Sequence, residues 1–128
     1  AEPELLQLHE QLALEKLQEL ARYDLVGEVR RAIGSTLESG ETTLETVATH
    51  LNITPRRLRT QLSEANTSFQ QILSDYRCRL AKKLLANTAE SVERIVYLTG
   101  FFELSTFYRA FKRWTNETPV EYRKRKQR

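Results

Sequence analysis

The sequence has 128 residues and a formal net charge of +3, which is enough chain for one or two small domains with a buried core. It contains no uninterrupted apolar run of about 18 residues, so neither a membrane-spanning helix nor a membrane partner is expected. Its one cysteine excludes an intrachain disulfide, which suits a reducing compartment and favours a cytoplasmic protein.

The distribution of charge and the scarcity of Gly and Pro narrow the possible function and fold class further. Residues 1–50 hold ten acidic and four basic residues, net −6, whereas residues 51–128 hold seven acidic and sixteen basic ones, net +9. The high basic charge of the second half is typical of proteins that bind a polyanion. The acidic first half argues against indiscriminate binding to any polyanion. With four Gly, three Pro and no alternation of β-branched residues, the chain is predicted to be all-α.

The first 22 residues predict an N-terminal linker helix, over residues 4–21, whose apolar side chains fall on two neighbouring stripes. The stripes are Leu5, Leu8 and Leu12, and Leu6, Ala13, Leu17 and Leu20. We favour a helix packed on its own domain; the alternative is a contact with another domain or a second copy, because two stripes are difficult to bury in a small domain. The chain contains no Met, so we expect it to be part of a longer protein.

Two further helices are predicted before the basic half begins. Apolar residues recur at helical spacing over residues 25–37, and Gly40 is placed to end that helix. A short helix follows, capped by Thr42 or Thr43, and Thr42 with Glu45 has the spacing of a capping box.

The most informative feature is an internal repeat of a two-helix pattern. Residues 44–53 align with residues 92–101 at a constant offset of 48, which becomes 49 after the turn. Each copy has a small or medium-sized residue in its first helix, a turn residue that tolerates the left-handed conformation, and an apolar residue in its second helix. These residues are Ala48, Asn52 and Leu58 in the first copy and Val96, Gly100 and Phe107 in the second. The spacing is that of a helix-turn-helix, whose second helix enters the DNA major groove.

The second helix of each copy has a basic, polar face opposite its apolar stripe. One such face alone is equally consistent with simple solvation, but two equivalent faces favour double-stranded DNA as the partner. The predicted base contacts are Arg56, Arg59, Thr60, Ser105, Thr106, Tyr108 and Arg109. The predicted contacts to the DNA backbone are Arg57, Ser63, Lys112 and Arg113.

A long connecting helix is predicted over residues 68–87, about 30 Å in length. Its apolar residues change face, with Phe69, Ile72, Leu73, Tyr76 and Leu80 on one side and Ala81, Leu84 and Leu85 about a third of a turn away. We therefore expect its first half to pack on the first motif and its second half on the second. The predicted units are residues 1–22 (linker helix), 23–67 (first motif), 68–87 (connecting helix) and 88–128 (second motif with a basic C-terminal tail).

The second copy belongs to a longer pattern that resembles a known family signature. It reads Ile95-Val96-x-x-x-Gly100-Phe101-x-x-x-Ser105-x-Phe107-x-Arg109-x-Phe111-Lys112 and ends Thr118-Pro119-x-x-Tyr122-Arg123. This resembles the AraC/XylS family of bacterial transcription regulators, and Arg77-x-x-x-Ala81-x-x-Leu84-Leu85 resembles that family's linker helix. Residues 109–115, together with Thr67-Ser68-Phe69, are most similar to the branch that contains ornithine- and arginine-utilisation regulators. Two departures are Val96 in place of a usual Ala and Asn116 in place of a usual Gly.

The resemblance implies a seven-helix DNA-binding domain whose two helix-turn-helix units lie in adjacent major grooves of promoter DNA. We expect the regulator to be an activator that contacts RNA polymerase. The resemblance also implies an N-terminal domain for an effector or for dimerisation, to which residues 1–22 would lead. Leu104 and Tyr108 occupy positions that vary across the family, so the target sequence does not carry over.

The alternative function is a helical protein-interaction module whose basic face binds an acidic partner. Preference for one duplex over a scrambled duplex would separate the two functions. An enzyme is not expected, because no paired carboxylates, Cys/His pair or metal-ligand cluster occurs at a constrained spacing. His9 has no second ligand three or four residues away, and Cys78 is expected to be an inert thiol, so neither a metal nor a cofactor is expected.

Overall fold

The computed structural model describes residues 2–127, with the side chains of residues 2, 4 and 21–23 excepted. All regular structure within that range is helical, which confirms the all-α prediction. The seven α-helices are α1 (Glu2–Thr36), α2 (Leu44–His50), α3 (Pro55–Glu64), α4 (Phe69–Asn87), α5 (Val92–Leu98), α6 (Leu104–Thr115) and α7 (Pro119–Lys126). None of these described helices combines the length and apolarity needed to cross a bilayer.

Helix α1 is continuous over 35 residues, so the prediction of two separate helices in this region is wrong. The stretch between the two predicted helices, residues 22–24, contains no Gly or Pro, and nothing in it ends a helix. Beyond Thr36 the chain tightens into one turn of 3-10 helix, Leu37–Ser39. Gly40 follows with a φ of 74°, in the left-handed conformation expected of it.

The N-terminal half of α1 does not pack on its own domain, contrary to the interpretation favoured from the sequence. Its leucines are each between 51% and 64% exposed, and they are Leu5, Leu6, Leu8, Leu12, Leu14, Leu17 and Leu20. The half of α1 that joins a core begins later, with Leu25 and Val26 partly buried and Val29 fully buried. The contact of this half-helix with another domain or a second copy stays a prediction.

The domain has two small hydrophobic cores. The first is formed by α1, the 3-10 turn, α2, α3 and α4, through Val29, Ala32, Ile33, Leu37, Val47, Ala48, Leu58, Leu62, Phe69, Ile72 and Leu73. The second is formed by α4, α5, α6 and α7, through Ala81, Leu85, Ile95, Val96, Phe107, Phe111 and Tyr122. Each core therefore encloses one helix-turn-helix pair.

Helix α4 belongs to both cores, as its sequence predicts. Tyr76 and Leu80 pack with the first core, whereas Ala81, Leu84 and Leu85 pack with the second. Because successive helical residues are about 100° apart, the change from Leu80 to Ala81 turns the buried face by about a third of a turn. One continuous helix thus carries the two motifs on different sides.

Thr43, and not Thr42, caps α2. The Thr43 hydroxyl accepts a hydrogen bond from the Thr46 amide at 3.1 Å, and the Thr46 hydroxyl accepts one from the Thr43 amide at 3.0 Å, so the partner in the box is Thr46 and not Glu45. Thr42 is buried, and its hydroxyl lies 2.9 Å from that of Thr36 at the end of α1. A tertiary contact therefore decided between two adjacent threonines with similar local propensity.

The basic C-terminal run is helical as far as Lys126, and some of its charges have structural partners. Arg123 donates from Nε to the Leu85 carbonyl at 3.1 Å and from Nη2 to the Thr88 carbonyl at 3.3 Å, so it satisfies acceptors left free at the end of α4. The Arg125 guanidinium forms a bidentate pair with the Glu117 carboxylate at 2.8 and 2.9 Å. Arg123 therefore joins α7 to the end of α4, whereas Arg125 joins the last turn of α7 to the residue two positions before the helix.

Gly100, at the turn between α5 and α6, has no room for a side chain. Its φ is 80°, and a Cβ added there would lie 2.9 Å from Leu37 Cδ1 and 3.0 Å from the Leu37 carbonyl oxygen. The left-handed conformation and the adjacent backbone oxygen both disfavour any larger residue.

We expect Gly100→Ala to lower the free energy of unfolding by about 2–4 kcal/mol, because backbone strain and overpacking against Leu37 add. The matched control is Gly27→Ala within α1, where the nearest atom to the added Cβ among the described side chains is Arg31 Nη1 at 3.8 Å. That change should be neutral or stabilise by up to about 1 kcal/mol. Urea titrations of both variants check this; equal effects at the two positions would contradict it.

Candidate nucleic-acid interface

The two helix-turn-helix units have the same backbone hydrogen bonds at their turns. In the first, the Ile53 amide donates to the Ala48 carbonyl at 3.1 Å, and in the second the Phe101 amide donates to the Val96 carbonyl at 3.0 Å. The intervening turn residue has φ of 58° in the first unit and 80° in the second. The repeat seen in the sequence is therefore a repeat of backbone structure, with Asn in the left-handed position of one copy and Gly in that of the other.

Helix α3 presents its polar face outward because its two leucines are buried. Leu58 and Leu62 lie in the first core, and Thr54 caps the helix by accepting the Arg57 amide at 3.1 Å, with Pro55 as its first residue. All five predicted DNA-contacting residues on this helix are exposed: Arg56, Arg57, Arg59, Thr60 and Ser63.

Helix α6 repeats this arrangement with larger core residues. Phe107, Ala110 and Phe111 are buried, and their burial turns the opposite face to solvent. Five of the six predicted contact residues on α6 are exposed: Ser105, Thr106, Arg109, Lys112 and Arg113. The N-terminus of α6 has no side-chain cap, so backbone amides at that end are available to an external acceptor.

Tyr108 differs from the other predicted base contacts because it is only half exposed. Its ring packs at the margin of the second core, with its centroid 6.5 Å from that of Phe107 in an edge-on arrangement. The body of the ring is therefore partly occupied by internal packing. A role for its hydroxyl in base contact stays a prediction.

The cations on the outward faces of α3 and α6 form no close ion pair with the carboxylates whose side chains the structure describes. Between residues 2 and 127, the ion pairs with described side chains are Lys16–Glu19 at 3.8 Å and Arg125–Glu117 at 2.8 Å. Neither pair includes a residue of α3 or α6. The positive charge of both helices is thus available to a phosphate backbone or to base edges.

The candidate residues line two clefts on either side of the first turn of α4. Arg59 and Ser63 line an open cleft of about 660 Å³ together with the first residues of α2 and α4. Arg109 and Arg113 line a smaller cleft of about 200 Å³ between α4 and α6. Gln70 borders both, so the cleft that contains Arg59 and Ser63 adjoins the cleft that contains Arg109 and Arg113.

Sequence reasoning missed a structural role for Arg77 on α4. Its Nη2 donates to the Gly100 carbonyl at 3.4 Å, and its guanidinium carbon lies 4.8 Å from the centroid of the Phe101 ring. Burial lowers the pKa of Arg77 from its ordinary value. In the sequence, Arg77 was noted only as part of the linker-helix pattern, and that pattern does not indicate which residues its side chain contacts.

Cys78 is a half-buried free thiol on α4. Burial, as the largest cause, raises the pKa of the Cys78 thiol, which disfavours the reactive thiolate and agrees with the prediction of an inert thiol. No group of three or more potential metal ligands converges in the part of the chain that the structure describes.

Two helix-turn-helix units with basic outward faces on one connecting helix define a DNA-binding domain of the tandem helix-turn-helix class. A family model described as a helix-turn-helix domain matches residues 47–125. The chain belongs to the AraC-type helix-turn-helix family of DNA-binding transcription regulators, which confirms the resemblance found in the sequence.

Known proteins show the same relationship. The Ornithine utilization regulator of Pseudomonas aeruginosa is 42% identical over 80 residues, which cover 62% of this chain and 24% of that protein. The chain therefore spans about a quarter of the length of that relative. An ornithine-utilisation regulator among the relatives agrees with the branch that residues 109–115 resemble. A solved structure of a DNA-binding transcriptional dual regulator from Escherichia coli K-12 superposes with a TM-score of 0.75 and 30% identity, covering 81% of this chain and 94% of that one. The C-terminal domain of AraT from Geobacillus stearothermophilus superposes with a TM-score of 0.70 and 29% identity, covering 79% of this chain and 84% of that one.

The structure separates residues that hold α6 in the fold from residues that face outward. Phe107→Ala and Phe111→Ala should each lower the free energy of unfolding by about 3–5 kcal/mol, because both side chains are fully buried. Arg109→Ala should change it by no more than about 0.5 kcal/mol, since Arg109 has no ion pair among the described residues. Denaturant titrations measure all three; a large loss for Arg109→Ala would mean that its side chain has an internal role.

Proposed function

We propose that this domain reads two consecutive major-groove segments of promoter DNA, with α3 in one and α6 in the next. The observation that carries the proposal is the equivalence of the two units, each with a buried apolar stripe and an exposed basic face, on the two ends of α4. Nineteen residues of α4 span about 28 Å, close to the roughly 34 Å between major-groove faces one turn apart.

The residue assignments within this proposal follow from position along each helix. Arg56 lies in the first turn of α3 and Arg109 in the middle of α6, and a bidentate arginine–guanine pair is the commonest specific contact in the major groove. Arg59 and Thr60 with Ser105, Thr106 and Tyr108 complete the proposed base-reading set. Arg57, Ser63, Lys112 and Arg113 flank these residues and are proposed to bind phosphates.

We propose further that the whole protein is a cytoplasmic transcription activator that contacts RNA polymerase. Regulators of bacterial genes among its relatives support this proposal, as does a basic surface suited to promoter DNA. The aligned region is about a quarter of the P. aeruginosa relative, and a further domain for an effector or for dimerisation is proposed to precede α1.

The tandem arrangement is tested by changing the distance between half-sites. A bipartite duplex is first selected from random-sequence DNA with this domain, and five base pairs are then inserted between its half-sites. The insertion turns the half-sites to opposite faces of the duplex, so affinity should fall to that of a single half-site. A ten-base-pair insertion is the control for added length alone. Unchanged affinity after the five-base-pair insertion would show that only one unit reads DNA.

Base and phosphate contacts are separated by comparing Arg56→Ala with Lys112→Ala. Arg56→Ala should weaken binding to the selected duplex by about 1–3 kcal/mol and relax preference at one or two base pairs. Lys112→Ala should weaken selected and scrambled duplexes equally and lower the slope of log K against log salt by about one. Titrations of both variants on both duplexes at several salt concentrations measure this. Equal weakening of the two duplexes by Arg56→Ala would assign Arg56 to the backbone.

A further inference from the structure

The two motifs are joined by a polar contact in addition to the shared helix. The indole nitrogen of Trp114, near the end of α6, donates to the hydroxyl of Ser74 on α4 at 3.0 Å. Both side chains are half-buried. Ser74 directly follows Leu73, which is buried in the first core, and it precedes Ala81 of the second core by seven residues, on the same side of α4. The hydrogen bond therefore ties the second motif to the half of α4 that the first core holds.

A second contact holds the other end of α6. The turn at Gly100 lies against Leu37 of the first core, with the position of an added Cβ only 3.0 Å from the Leu37 carbonyl oxygen. From the side of α4, Arg77 donates to the Gly100 carbonyl at 3.4 Å and stacks on Phe101. The start of α6 is thus held at its preceding turn, while its end is held by Trp114.

We propose that Ser74 and Trp114 are positioning residues for DNA recognition, whose hydrogen bond sets the orientation of α6 relative to α3 and hence the half-site spacing that the domain accepts. This inference rests on the proposed function, in which both helices read one duplex. It identifies what makes the two motifs a single reading unit.

The lever arm along α6 explains why one hydrogen bond matters. Nine residues separate Ser105 from Trp114, about 13 Å of helix, so with the start of α6 held at Gly100 a tilt of about 10° moves the Trp114 end by about 2 Å and Arg109, about midway, by about 1 Å. Hydrogen bonds to base edges tolerate only about half an ångström of variation in length. If α6 is free to tilt, binding to a bipartite site must restrict that motion, and the lost entropy weakens the affinity. If α6 is already held in one orientation, binding carries no such cost.

The direct test compares Ser74→Ala and Trp114→Phe, each of which removes one partner of the hydrogen bond; the second keeps an aromatic ring. The matched control is Ser35→Ala, because the Ser35 hydroxyl donates to the Ala32 carbonyl at 2.9 Å within α1 and joins no two motifs. Each protein is titrated against the selected bipartite duplex, the same duplex lengthened or shortened by one base pair between half-sites, and a duplex with a single half-site.

Both variants should bind the bipartite duplex about two- to tenfold more weakly, the range expected for the loss of one hydrogen bond. Binding to the single half-site should be unchanged, and the penalty for a one-base-pair change in spacing should shrink. The double variant should be no weaker than Trp114→Phe alone, since the two side chains act as one pair. Ser35→Ala should bind like the unaltered domain on every duplex.

The proposal is overturned if Ser74→Ala retains the affinity and spacing preference of the unaltered domain. It is also overturned if the loss is equal on single and bipartite sites, because that result describes general damage. Ser74→Ala decides the question if Trp114→Phe melts below the assay temperature. Failure of the proposed function looks different: the unaltered domain itself would then be insensitive to a five-base-pair insertion.

Discussion

The arrangement of the domain depends on the switch of buried face within α4. Leu80 packs with the first core and Ala81 with the second, so a single helix contributes to two cores on sides about a third of a turn apart. Each core encloses only a few short helices, and α2 and α5 have seven residues each, too few for independent stability. Burial against α4 makes each unit stable and also fixes where its second helix points.

Burial of the inner stripes leaves the outer faces of α3 and α6 largely outside the two cores. Leu58 and Leu62 in one unit, and Phe107 and Phe111 in the other, are fully buried, and the residues opposite them are exposed. The two turns show the same principle in the backbone. Asn52 is exposed in its left-handed conformation, whereas the equivalent Gly100 is buried against Leu37, where a Cβ has no space.

The sequence predicted what depends on local pattern and missed what depends on distant contacts. The left-handed turn residues, the two copies of the helix-turn-helix spacing and the two-sided character of α4 each follow from a short pattern, and the structure agrees with them. The division of α1 into two helices and the capping box of Thr42 with Glu45 were predicted incorrectly. Ser74 pairs with a residue 40 positions away, and no periodicity in the sequence connects the two. The outward residues of the candidate interface were predictable because, once the apolar residues of α3 and α6 are assigned to the core, the residues on the opposite face of each helix must point to solvent.

Two residues of α6 do not fit a division into core and reading faces, and both are aromatic. Tyr108 packs edge-on to Phe107 while part of its ring is exposed, and Trp114 packs near Phe101 and Phe111 while its nitrogen reaches Ser74. An aromatic ring with one polar atom can occupy such a border, because its body joins the core and its polar end finds a partner outside it. Arg77 does the same from α4, with its guanidinium over Phe101 and a donor to Gly100. Side chains at the edge of the second core therefore add hydrogen bonds and ring contacts to the burial that orients α6.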